Sequence, residues 1–203
     1  FPEVFLGLVP GWGGATLLPK LIGPERAVQV IMLNALANNT MLKAKDAFKL
    51  GMVDAVFEPA DFLEKSVQFA ANILNGSTKI ERADYSNDPA WESALATGKA
   101  AALKKYGGAE VAAPARALQL IAEARTNTIS EGFDAEDRAL ADLTMDDPLR
   151  ASLYAFNLIQ KKRKKVEGAP KPALGRKVAR VGVVGAGLMA SQLALLLLRN
   201  LKT

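Results

Sequence analysis

PEVFLGLVPGWGGATLLPKLIG, Pro2 to Gly23, decides how this chain is read. Its one acidic residue, Glu3, stands among Pro2, Val4, Phe5, Leu6 and Leu8. A carboxylate presented from so apolar a setting suits general-acid work, and the same pattern also fits an ordinary surface or ion-paired glutamate. Pro10-Gly11-Trp12-Gly13-Gly14 follows as a turn dominated by backbone. By itself it fits a simple tight bend as well as a place where main-chain groups meet a ligand.

Beyond the turn, helical segments are expected around Ala15 to Ile22, Glu25 to Leu36 and Lys43 to Leu50, with a short strand at Val53 to Phe57. Pro59 opens a helix in which Leu63, Val67, Ala70, Ala71 and Leu74 share one side, the spacing of a buried stripe, and Asn75-Gly76 stops it. Residues 76–112 are polar and Gly/Ala-rich, with a turn at Asn87-Asp88-Pro89 and a break at Gly107-Gly108, and read as a variable connector. Three more helices are expected: 114–126, 130–144 from the capping candidate Ser130, and 147–164 with Pro148 in its first turn. In the last of these Leu149, Leu153 and Phe156 share a face. No internal repeat is visible.

With 203 residues, 50% hydrophobic and 23% charged, the chain can form one domain or parts of two. It contains neither Cys nor His. Disulfide frameworks and thiolate metal sites are therefore excluded, along with the usual neutral-pH proton shuttle, and no metal site is expected. Reducing, cytoplasmic surroundings are the expected location. The N-terminal FPEVFLGLVPG lacks the basic region and cleavage site of a signal peptide, and the longest apolar run, Leu193 to Leu198, is far short of the roughly 18 residues of a membrane span. Contact with a membrane surface is left open. The net charge of +5 traces to KKRKK, Lys161 to Lys165. Such a run reads as the solvated end of a helix, as an attractor for a ligand phosphate, or as a nucleic-acid patch. No aromatic residue interleaves with it, so no nucleic-acid partner is expected.

Gly168-Ala169-Pro170-Lys171-Pro172 is a stiff linker leading to VGVVGAGLMA, Val181 to Ala190. Val181, Val183 and Val184 make a strand pattern that runs into Gly185-Ala186-Gly187, and a helix is expected to start near Leu188. This is the opening of a dinucleotide-binding unit: Gly185 and Gly187 admit a pyrophosphate at a helix N-terminus, and Ala190 takes the third glycine position. NAD is the expected cofactor, although a buried strand, turn and helix would give the same pattern. The acidic residue expected about 20 positions beyond the glycines to hold the ribose is not reached before Thr203. The sequence is accordingly expected to be a piece of a longer protein.

Pro2 to Gly23 resembles the second catalytic segment of the crotonase (enoyl-CoA hydratase/isomerase) superfamily, with its PE-x-x-x-G-x-x-P-G-x-G-G pattern. The likeness continues through Leu42 to Val56, within MLKAKDAFKLGMVDAVF, and through Ser130-Glu131-Gly132-Phe133 with Glu136 and Asp146 to Phe156. Joined to GAGLMA, the whole resembles the multifunctional fatty-acid oxidation proteins, in which a hydratase is fused to a 3-hydroxyacyl-CoA dehydrogenase. Only about residues 77–112 fall outside the likeness.

The resemblance implies an α/β fold. The C-terminal part of a crotonase-like domain with its helical extension would occupy 1–164, a linker 165–177, and the first β-α unit of a Rossmann domain 178–203. It implies that Glu3 is the second of two catalytic glutamates and that the Gly11 N–H helps place the water. The first glutamate and the oxyanion donors are expected in a segment preceding Phe1, so that the chain alone would be inactive. It further implies a CoA thioester as substrate, with Phe156 packing by the adenine and Lys161 or Lys162 near its phosphates, where some relatives carry Lys and this chain has Ile159. A thiolase subunit and further copies of the chain are the implied partners. The alternatives are a crotonase-type enoyl-CoA isomerase that uses the same Glu3, or a helical assembly module that mainly binds thiolase.

Overall fold

A computed structural model describes residues 1–159, 168–170, 174–175, 178 and 180–201. Helix α1, Glu3–Leu6, ends at Gly7, and α2, Leu17–Ile22, follows the glycine turn. Pro24 starts α3, Pro24–Val28, where its fixed φ is pre-set for a first helical turn. A π-helical turn, Gln29–Leu33, carries the chain on into α4, Asn34–Leu36. Next come α5, Ala44–Lys49, and a 3-10 turn, Pro59–Asp61, leading into α6, Phe62–Leu74. Then follow α7, Trp91–Lys105; α8, Ala112–Glu123; α9, Ile129–Met145; and α10, Asp147–Asn157. Helix α11, Leu188–Leu201, lies in a second compact unit, Leu158–Thr203, separate from the first, Phe1–Asn157.

The core of the first unit forms where α3 and the π turn pack on α7, α7 on α8, and α8 on α9. Ile22, Val28, Ile31, Met32, Trp91 and Ile121 fill it, each at most 2% exposed. Burying side chains of this size contributes roughly 1.5–3 kcal/mol apiece. Trp91 keeps its polar edge satisfied, donating from Nε1 to the Tyr85 carbonyl at 2.7 Å.

Several expectations are corrected. No strand occurs among the described residues, so the α/β class is not met by what they show: Val53 to Phe57 and Val181 to Val184 lack ladder partners, and a strand without neighbours has nowhere to place its N–H and C=O groups. What the described part of the expected Rossmann unit retains is a glycine turn followed by α11. The connector 76–112 contains a core helix, α7, which sequence patterning misses because, beyond Trp91, it packs largely through small residues. A Cβ at Gly98 would meet Leu118 Cδ2 at 2.7 Å and Val28 Cγ1 at 3.1 Å. The stripe on α6 is not buried: Leu63 is 76% exposed, Val67 63% and Leu74 89%. On this helix Phe69 makes an edge-on pair with Phe57, 6.1 Å between centroids. Helix α9 is capped by Thr128, not Ser130, because Glu131 is the residue three positions inside that can return the bond. Its carboxylate accepts from the Thr128 N–H at 2.8 Å while Thr128 Oγ1 accepts from the Glu131 N–H at 3.3 Å. The Thr128 N–H and the Thr128 hydroxyl, which also donates to this carboxylate at 2.8 Å, hold the Glu131 carboxyl below the usual range, the backbone bond most strongly. The expected boundary at 164 and most of the linker 165–177 lie outside the described residues.

Candidate functional site

The Pro10–Thr16 turn is held from the far end of the first unit by one side chain. Glu136, on α9 and 0% exposed, accepts three backbone N–H bonds. Gly13 donates to Oε2 at 2.6 Å, while Ala15 and Thr16 donate to Oε1 at 2.9 and 2.7 Å. Bonds to a charged group contribute about 1.5–3 kcal/mol each and offset the cost of burying the carboxylate. The turn needs such an anchor, because Trp12 sits at φ 53° and Gly13 at φ 89°. A non-glycine residue in that left-handed region is strained by roughly 1–2 kcal/mol. Gly132, one turn before Glu136, lets the helix close on the turn: a Cβ there would collide with the Thr16 side chain.

With Gly13, Ala15 and Thr16 committed to Glu136 and Gly14 donating to the Gly11 carbonyl at 3.0 Å, the N–H groups of Gly11 and Trp12 meet no acceptor among the described residues. The Trp12 side chain is 95% exposed at the tip. Around it lies an open, mainly apolar cleft of about 690 Å³ bordered by Gly11, Leu17, Lys20, Arg82 and Ile129, with no carboxylate among its lining residues. Its two cations are already paired. Lys20 Nζ donates to the Asn127 carbonyl at 2.8 Å, and Arg82 grips Asp54 bidentately at 2.6 and 2.7 Å. That fork holds the Asp54 carboxyl below the usual range and raises the Arg82 guanidinium.

Glu3 opens α1, and its Oε2 is buried with no hydrogen-bond partner. Asn34 has a second such atom, Nδ2, and is one of the residues that line a hollow of about 430 Å³ together with Phe1 and Pro2. Phe156 lies on α10, 39% exposed, whereas Lys161 and Lys162 lie outside the described residues. In the second unit Gly185 has φ 111°, Gly187 immediately precedes α11, and Ala190 lies in its first turn. The Ser191 N–H bonds back to the Gly187 carbonyl at 3.1 Å. Added Cβ atoms at Gly185 or Gly187 would meet nothing within 4 Å. Reading the sequence placed Glu136 within the family likeness but assigned it no task. A lone acidic residue on a helix otherwise rich in Asp and Glu gives no sign that its partners lie more than a hundred positions away. Asn34 carried no signal at all.

Two comparisons bear on this geometry. Residues 1–108 match the family model described as enoyl-CoA hydratase/isomerase. The chain is also 33% identical, over 200 residues and 95% of its length, to the fatty acid oxidation complex subunit alpha of Idiomarina loihiensis, of which it spans 27%. The match covers both Glu3 and the glycine turn and more than half of the chain, so the chain belongs to the enoyl-CoA hydratase/isomerase family and carries part of its crotonase fold.

Proposed function

We propose that this chain supplies part of a hydratase site that adds water to trans-2-enoyl-CoA in fatty-acid β-oxidation. The reading is supported by the buried Glu3 oxygen that has no hydrogen-bond partner; the clamped turn, whose Gly11 N–H meets no acceptor among the described residues, is a separate observation, since Glu3 is not among the residues lining the cleft there. Glu3 exchanges a proton with the reacting water or the α carbon, and the Gly11 N–H fixes the water. Water then adds across the double bond as O to the β carbon and H to the α carbon. A second carboxylate for the other proton and N–H donors for the thioester oxygen complete the chemistry. No carboxylate lines the cleft at this turn, so the chain by itself would not turn over.

In the natural protein that contains this chain, Glu3→Gln keeps the shape and removes the titrating proton. Hydration kcat should fall about 10²–10⁴-fold with little change in CoA-ester binding. A normal rate would overturn the assignment. Following 2-enoyl against 3-enoyl substrates separates hydration from isomerisation, the alternative that the same glutamate would serve.

The reading extends to the second unit. The open space above Gly185 and Gly187 fits the close approach of a dinucleotide pyrophosphate. These two residues and Ala190 would hold NAD by backbone, and NAD when bound supplies the hydride acceptor for oxidation of the 3-hydroxyacyl-CoA. None of the residues from Leu188 to Thr203 is acidic, so the ribose must find its carboxylate elsewhere. The uncovered apolar side of α6 favours an added assembly role, with a thiolase subunit or a further copy as partner. Native mass measurement of the natural protein, with and without thiolase, tests that role.

A further inference from the structure

We propose that Glu136 is a positioning residue for the hydration step: through the backbone it fixes the Gly11 and Trp12 N–H groups at the reacting water. The inference rests on the hydratase reading of Glu3 and Gly11. Three successive levels of one face of α9 meet the turn, at Gly132, Glu136 and Leu140. Gly132 admits Thr16, Glu136 binds the N–H groups of Gly13, Ala15 and Thr16, and Leu140 Cδ1 occupies the space a Cβ on Gly11 would enter, 2.5 Å from it. Phe133, on the same side, lies 2.8 Å from the corresponding position at Gly13.

The choice of donors is what gives this clamp a functional meaning. A carboxylate placed only for stability could take any exposed N–H of the turn, but this one takes three on the C-terminal side and leaves Gly11 and Trp12 free. The turn that carries those two groups depends on the left-handed φ values of Trp12 and Gly13, 53° and 89°. A neutral amide at position 136 offers one acceptor oxygen and turns an NH₂ toward backbone N–H groups. At least one of the three bonds would then be lost, and the turn could relax toward ordinary φ values. A shift of about 1 Å in a water-orienting group can cost on the order of 10²-fold in rate.

The test is steady-state hydration by the natural full-length protein with Glu136→Gln and Glu136→Asp, alongside Glu3→Gln. Binding of unreactive butyryl-CoA and thermal midpoints are measured on each. The expected result for Glu136→Gln is a kcat lowered about 10–100-fold with butyryl-CoA affinity held within about 3-fold. Glu136→Asp, which keeps the charge, should recover part of that loss. Wild-type kcat in a folded Glu136→Gln protein overturns the proposal. So does a loss that tracks only the folded fraction, with Asp no better than Gln. Should the Gln variant fail to fold, Glu136→Asp decides: a lowered kcat at unchanged butyryl-CoA affinity supports the proposal and an unchanged kcat overturns it. A normal rate in Glu3→Gln would instead strike the hydratase reading itself, so the two failures are distinguishable.

Discussion

Gly132→Ala should destabilise the protein, although helix propensity alone predicts the opposite. Gly132 lies inside α9, where replacing glycine by alanine favours the helix by up to about 1 kcal/mol. The new methyl would collide with Thr16 Cγ2 and stand 2.6 Å from Thr16 Oγ1 and 3.0 Å from its Cβ, and Thr16 is only 1% exposed. Restoring ordinary contact requires roughly 1 Å of separation between helix and turn. The three bonds to Glu136, now 2.6, 2.9 and 2.7 Å, would then stretch beyond hydrogen-bonding range. Overpacking costs about 1–3 kcal/mol, and each weakened bond to the buried carboxylate adds about 1 kcal/mol or more. The net expectation is a loss of about 3–5 kcal/mol, or roughly 6–20 °C in midpoint for a domain of this size. Urea unfolding reads the first, and amide hydrogen exchange at Gly13, Ala15 and Thr16 reads the local loosening. Adding Glu136→Leu should cost less than the sum of the single changes, because both break the same contact. An alanine variant as stable as the parent, with those amides still protected, would refute the reasoning.

Other outcomes follow from the same geometry. The chain expressed alone should show no hydratase turnover, since losing even one oxyanion donor typically costs about 10²–10³ in kcat; turnover near that of a complete hydratase, measured on the purified chain, would contradict the proposed division of the site. In the natural protein Gly187→Val should weaken NAD binding and abolish dehydrogenase activity while leaving hydration near normal, and calorimetry on the chain alone should detect no NAD binding at millimolar ligand. For the Asp54–Arg82 pair the lowered carboxyl sets the sign: its stabilisation is full above the ordinary aspartate value of 3.8 and is lost as pH falls through the lower folded value. Arg82→Gln should therefore cost stability at neutral pH and progressively less as pH falls below 3.8, a trend that unfolding curves across that range would show.

Local chemistry in the sequence was enough to place some of the turns and helix ends, though not the start of α9, which Thr128 caps in place of Ser130. Pro10 to Gly14 is a turn and Asn75-Gly76 ends a helix, because each depends on φ preferences carried by the residue itself. Glu3 also stood out locally, as a charge among apolar neighbours. Tertiary structure decided the rest. Beyond Trp91, helix α7 enters the core through Ala94 and Gly98, residues too small to draw an apolar stripe, whereas α6 draws a clear stripe and finds nothing among the described residues to cover it. An amphipathic pattern states that a face can be buried, and only the neighbouring elements determine whether it is. Glu136 is the sharpest case: in sequence it is one more acid on a polar helix, and its role appears only when folding brings the N–H groups of Gly13, Ala15 and Thr16 to it. No local pattern encodes a bond between residues that far apart, since such a bond depends on how the intervening helices pack.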